Sequence, residues 1–132
     1  MILYLDSSAL VKLVQVEPES TGLRRYLRGS RGDRLVTSTL ARVEVVRSVL
    51  PGGPAAVAKA RRQLARLDQV ALGEELLDRA ATLVPDERLR SLDAIHLAAA
   101  LLAGADLRAI VTYDHRMAEA ASGLLIAVES PA

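Results

Sequence analysis

The chain predicts an α/β fold with a parallel sheet covered by helices on both faces, and three features carry that expectation. Short apolar runs alternate with segments of helical periodicity, the pattern of βαβ units. The first run, Ile2-Leu3-Tyr4-Leu5, is too short for a typical helix and apolar throughout, as a strand buried on both faces should be. It stops at Asp6, and the hydroxyls of Ser7 and Ser8 stand before Ala9, Leu10, Val11, Leu13 and Val14, so a strand turns there into a helix. Ligands in open α/β sheets bind outside the carboxyl ends of the strands, which puts Asp6 where the chemistry of such a sheet would sit.

The remaining elements follow in order. Glu17-Pro18-Glu19 ends the first helix, and Glu19-Ser20 opens a second through Leu23, Tyr26 and Leu27. After the turn Gly29-Ser30-Arg31-Gly32-Asp33, Leu35-Val36-Thr37 reads as a second strand. Ser38 or Thr39 is then the expected cap of a helix through Leu40, Val43, Val46, Val49 and Leu50. Pro51-Gly52-Gly53-Pro54 is the strongest break but too short for a domain linker, so residues 1–132 read as a single domain. Ala55 to Leu67 places Val57, Ala60, Leu64 and Leu67 on one face and Arg61, Arg62 and Arg66 on the other.

Val70-Ala71-Leu72 reads as a third strand, and Leu76, Leu77, Ala80, Ala81 and Val84 mark a helix ending near Pro85. Ser91 is the expected cap of Leu92 to Ala103, which is apolar almost all round and should be buried. Gly104 ends it. Ala109-Ile110-Val111-Thr112 is a fourth strand, Asp114 caps a short helix containing Met117 and Ala121, and Leu124 to Val128 reads as a fifth strand.

Hydrophobic residues make up 51% of the 132 positions but aromatics only 2%, so the core must be built from Leu, Val, Ile and Ala. That apolar excess on a small domain hints at a second buried surface, such as a dimer or partner interface. There is no cysteine, which excludes disulfides and thiolate metal sites. With no basic leader and no uncharged apolar stretch of membrane-spanning length, the expectation is a soluble cytoplasmic protein.

The net charge of +1 conceals a segregation. Residues 20–66 carry eleven basic side chains against Asp33 and Glu44, whereas residues 67–132 carry five against eleven acids. Individual arginines are explained as solvated helix faces. The block as a whole suits a polyanion such as nucleic acid, because guanidinium forks match phosphate oxygens, and Arg24, Arg25, Arg28, Arg61, Arg62 and Arg66 are the candidates for guiding a backbone.

Four acids stand out. Asp6 and Asp114 each follow a short apolar strand, so their carboxylates meet if those strands are neighbours; each is also explained as a helix cap. Asp93 lies in the first turn of the helix expected to be buried, a costly place for a charge without a partner. Glu44 borders an apolar stripe, with pairing to Arg47 as its plain explanation. Gathered in one pocket, four carboxylates would stay ionised only beside divalent cations or an arginine from a partner.

An all-oxygen set favours Mg2+ or Mn2+ over Zn2+. Such ions bind phosphates and activate water, so a carboxylate site beside an arginine-rich block reads as phosphodiester hydrolysis. His96 and His115 read more simply as a satisfied semi-buried residue and an exposed one. Thr112, Ser8 and Ser38 are candidates for orienting a carboxylate or water, although helix capping also explains them.

The chain closely resembles the PIN-domain ribonucleases, in particular the VapC toxins of VapBC toxin–antitoxin pairs. The resemblance is carried by Leu3-Tyr4-Leu5-Asp6-Ser7-Ser8-Ala9-Leu10, Ser38 with Glu44, Leu92-Asp93-Ala94-Ile95-His96-Leu97-Ala98, and Val111-Thr112-Tyr113-Asp114. It implies a three-layer α/β/α PIN-like fold with a five-stranded parallel sheet. It also implies an acidic site of Asp6, Glu44, Asp93 and Asp114, with Asp6 and Asp93 most directly on Mg2+. Cleavage of a tRNA or ribosomal RNA, inhibition by a VapB-type antitoxin, homodimerisation, and DNA contact only through the antitoxin are further implications. Ser7 stands where many relatives have Thr. Two other readings remain beside this one: a non-catalytic acidic pocket that captures a partner's arginine, and aspartyl phosphotransfer with Asp6 as nucleophile, against which Ser8 stands where the haloacid-dehalogenase pattern has a second Asp.

Overall fold

The computed structural model describes residues 1–84 and 89–132. Five strands form one all-parallel sheet: β1 (Ile2–Leu5), β2 (Arg34–Ser38), β3 (Asp68–Val70), β4 (Leu107–Val111) and β5 (Val128–Glu129), in the order β3-β2-β1-β4-β5. The seven α-helices among the described residues are α1 (Ser7–Val14), α2 (Ser20–Gly29), α3 (Ala41–Val49), α4 (Gly53–Leu64), α5 (Glu74–Thr82), α6 (Ser91–Leu101) and α7 (His115–Gly123). None is long and apolar enough to cross a membrane.

Side-chain alternation along β1 sorts the helices into layers. Leu3 and Leu5 enter a core with Leu10, Leu23, Val45, Val49 and Leu64 from α1 to α4. Tyr4 enters the opposite core, with Leu76 of α5, Leu97 and Ala98 of α6 and Met117 of α7. The result is the expected three-layer α/β/α arrangement, with α6 buried as predicted.

The strand order reverses at β1, which pairs with β2 on one side and β4 on the other. Chains leaving the carboxyl ends of β1 and β4 turn toward opposite faces and open a crevice between them, the switch point at which such sheets bind ligands. Asp6 and Asp114 stand there. The stretch after β5 buttresses the same corner: Ser130 Oγ donates to the Thr112 carbonyl at 2.6 Å, and the Tyr113 hydroxyl donates to the Pro131 carbonyl. Gly22 is required beneath it, since a Cβ there would lie 2.3 Å from the Ala132 carbonyl carbon.

Several boundaries differ from expectation. β3 is Asp68–Val70 rather than Val70–Leu72, because its register is set by pairing with Val36 to Ser38. β5 is only Val128–Glu129: Leu125 adopts φ 60° and closes the end of α7, so Leu124 to Ile126 belong to a helix terminus. α4 begins at Gly53, whose φ of 83° makes the break, and stops at Leu64. Neither Ser38 nor Thr39 caps α3, and Ser91 is the first residue of α6 rather than its cap. α1 is capped by Asp6, not by the serines. The predicted stop near Pro85 lies outside the described residues.

Candidate active site

Asp6 sits at the N-cap of α1 with extended backbone (φ −80°, ψ 178°) and is 3% exposed. Its Oδ1 accepts from the Ser8 hydroxyl at 2.6 Å and the Ala9 N–H at 3.1 Å, and its Oδ2 from the Thr112 hydroxyl at 2.5 Å. Burial pushes its pKa up, outweighing the hydrogen bonds that favour the anion. Ser8 and Thr112 therefore do orient a carboxylate. Thr112 also accepts the Asp114 N–H at 3.1 Å, so one hydroxyl ties the corner after β1 to the corner after β4.

Asp114 caps α7 through Oδ1, which accepts from Arg116 N–H at 2.8 Å and Met117 N–H at 3.2 Å. The capping explanation therefore holds, and it engages only one of the two carboxylate oxygens. Asp93, in the first turn of α6, has a buried Oδ2 with no hydrogen-bond partner among the described residues. Burial, and then the charges of Asp114 and Asp6, push its pKa up. Asp93 thus shares its surroundings with both other aspartates.

Glu44 does not pair with Arg47. Its Oε1 accepts from the Ser7 hydroxyl at 2.6 Å and from His96 Nε2 at 2.7 Å. Burial raises its pKa, but the hydrogen bonds from His96 and Ser7 outweigh it, and the net shift is downward. His96 is 3% exposed, and its Nδ1 lies 2.7 Å from the Tyr4 hydroxyl. The satisfied histidine expected from sequence is therefore found, but buried rather than semi-buried, and with partners that sequence did not suggest.

Tyr4 is the residue that sequence reasoning passed over. The available signal was its place two residues before Asp6, hence on the α6 face of the sheet, together with the need of a buried tyrosine hydroxyl for a partner. Ser38 differs from expectation: β2 carries its hydroxyl inward to the Tyr4 hydroxyl rather than to any carboxylate, and it makes no well-formed hydrogen bond among the described residues. His115 is exposed. Arg25, Arg28, Arg61, Arg62 and Arg66 are exposed, whereas the half-buried Arg24 donates to the Leu13 carbonyl at 2.9 Å in the last turn of α1.

Among the described residues, no three Asp, Glu or His side chains form a ready-made metal cage. The donor set nevertheless fits a hard cation held partly by water and phosphate, since Mg2+ is usually bound through one or two carboxylates and keeps several waters. Asp93 Oδ2, without a hydrogen-bond partner among the described residues, and Asp6 Oδ2, bonded only to Thr112, are the least engaged of these oxygens.

This fold and its acidic crevice define a PIN domain, and the family model described as PIN domain matches residues 3–123. The chain is 53% identical to Ribonuclease VapC46 of Mycobacterium tuberculosis over 129 residues, covering 98% of this chain and 97% of that one. Ribonuclease VapC35 of the same organism is 43% identical over 132 residues, covering 98% and 97%. The chain therefore belongs to the PIN-domain family, within its VapC group.

Two solved structures share the fold at low identity. VapC20 of M. tuberculosis, a sarcin–ricin loop cleaving toxin, has a TM-score of 0.74 at 21% identity, covering 89% of this chain and 94% of its own. VapBC2 of Rickettsia felis, bound to a promoter DNA fragment, has a TM-score of 0.72 at 14% identity and covers both chains fully.

Proposed function

We propose that residues 1–132 act as a single PIN domain, a Mg2+-dependent (or Mn2+-dependent) endoribonuclease toxin of a type II toxin–antitoxin system, working in the cytoplasm as a homodimer. The observation that carries the reading is the buried, unpartnered Asp93 Oδ2 beside the charges of Asp6 and Asp114. Such an oxygen is costly unless a cation completes it. The names of the relatives, ribonucleases at 43% to 53% identity, support RNA as the substrate.

A bound divalent ion would supply charge neutralisation and an activated water for in-line attack on a phosphodiester. The protein's own residues do the rest. Asp6 and Asp93 would hold the ion, Asp93 by Oδ2 and Asp6 by the Oδ2 that also accepts from Thr112; Ser8, Ala9 and Thr112 fix the Asp6 carboxylate so that it does not reorganise during reaction. Asp114 has Oδ1 committed to α7 and Oδ2 for an ion or water, and Glu44 offers Oε2 while Oε1 is anchored. Arg25, Arg28, Arg61, Arg62 and Arg66 guide the RNA backbone, with Arg24 contributing mainly to structure. A VapB-type antitoxin neutralises the crevice by bringing a basic side chain to it, and DNA is met only through that partner.

The test is cleavage of structured tRNA and ribosomal RNA fragments by the purified protein with Mg2+. Chelator should abolish it, and Asp6→Asn or Asp93→Asn should reduce it at least about a hundred-fold with the fold intact. Cleavage that persists in excess chelator, or in Asp93→Asn, would overturn the proposal.

A further inference from the structure

A polar chain runs through the otherwise aliphatic core on the α6 side of the sheet: Tyr4, 1% exposed, then His96, 3% exposed, then Glu44. The two aromatic rings meet edge to face, with centroids 5.8 Å apart and planes at 71°. Burying a phenol and an imidazole in place of Leu or Val is unfavourable unless each polar atom is satisfied, and here each is.

The proton positions follow from the partners. At 2.7 Å between His96 Nε2 and Glu44 Oε1, a proton must lie between the atoms, and a carboxylate that also accepts from Ser7 has none to give, so Nε2 carries it. With the proton on Nε2, Nδ1 keeps its lone pair, and the Tyr4 hydroxyl donates to it. Donation therefore runs one way, from Tyr4 to His96 to Glu44. Glu44, which can only accept, sets the tautomer; without the phenol, Nδ1 would lose its partner and the ring the contact that fixes its orientation toward Glu44.

We propose that Tyr4 and His96 are positioning residues: the Tyr4 hydroxyl holds the His96 ring in place, and His96 in turn holds the Glu44 carboxylate by Oε1 so that Oε2 faces the acidic crevice. The proposal rests on the nuclease reading for its catalytic consequence. The hydrogen-bond chain itself is tested without RNA or metal. Long-range 1H–15N correlations on labelled, metal-free protein, with His115→Gln as the assignment control, should show His96 protonated on Nε2 alone. In Tyr4→Phe the Nε2 proton should remain, and the Nδ1 resonance should move toward that of a ring nitrogen that accepts no hydrogen bond.

In cleavage, Tyr4→Phe should lower kcat about ten-fold with KM for RNA unchanged, the usual size of an outer-shell loss. His96→Gln, whose amide N–H replaces Nε2–H, should stay within a few-fold of wild type. His96→Leu should fall to the level of Glu44→Gln, and the double variant no further. A wild-type ring protonated on Nδ1 or on both nitrogens overturns the chain even if the protein is no nuclease. Unchanged kcat in Tyr4→Phe, or His96→Gln as impaired as His96→Leu at equal thermal stability, overturns the positioning role.

Discussion

Asp93 keeps one oxygen without a donor while burial and two neighbouring carboxylates push its pKa upward, and Asp6 is pushed up by burial. An acid whose folded pKa exceeds its unfolded value, about 3.9 for Asp, binds protons more tightly when folded. Its cost is absent well below that value and complete above the folded pKa. Metal-free protein should therefore be relieved of this cost as pH falls from neutral toward about 4. Glu44 and Asp33 act in the opposite sense: their pKa values are held down, and their stabilisation is lost as pH falls through those lowered values. Asp93→Asn should accordingly raise the metal-free Tm by a few degrees at pH 7, a gain that narrows toward pH 4 in a series of thermal melts. A variant that melts below wild type at pH 7 would contradict the assignment of the charge as strained.

The helices repeat the theme that one side chain serves both local structure and site. Asp6 caps α1 through Oδ1 while its Oδ2 accepts from Thr112 after β4, and Asp114 caps α7 through Oδ1 alone. The end of α7 shows the reverse, a local cost with no visible return. Ile126 N–H bonds the Ala121 carbonyl and Leu125 N–H that of Ser122, the paired bonds that close a helix through a left-handed residue, normally Gly. Leu125 takes that position with φ 60° while 95% exposed, so its side chain contributes no packing to offset the strain. Leu125→Gly should stabilise the fold by about 0.5–1 kcal/mol in denaturant unfolding, the left-handed penalty less the extra chain entropy of glycine. On α4 the exposed Arg61 and Arg62 form the basic back expected from periodicity. Reversing both to Glu should weaken RNA binding and flatten its dependence on salt, since each lost phosphate contact removes roughly 0.7–0.9 from the log–log slope. An unchanged slope would remove α4 from the footprint.

For the molecule as a whole, the proposed cation site at the carboxyl ends of β1 and β4 would couple folding to metal binding. A divalent ion that binds only the folded state raises its stability by mass action, by about 2.7 kcal/mol at a hundred times Kd. Wild-type Tm should climb with Mg2+ or Mn2+, and Asp6→Asn and Asp93→Asn should lose the response; a Tm indifferent to both ions would count against the site.

What could be read along the chain was local. Strand and helix periods, Asp6, Asp93 and Asp114 at helix starts, and the fully apolar α6 all follow from residues within a few positions of each other. The short edge strands β3 and β5 were misplaced because three-residue and two-residue strands carry almost no periodic signal of their own; their extent is set by the neighbour they pair with. The neighbouring of β1 and β4, which brings Asp6 to Asp114, was an open condition until the crossovers were traced. Tyr4 and His96 lie 92 residues apart, and Ser7 and Glu44 lie 37 apart. Side-chain period and capping are short-range and so are written in the residues themselves, whereas partners of buried polar atoms depend on how helices pack over the sheet, which no nearby residue records.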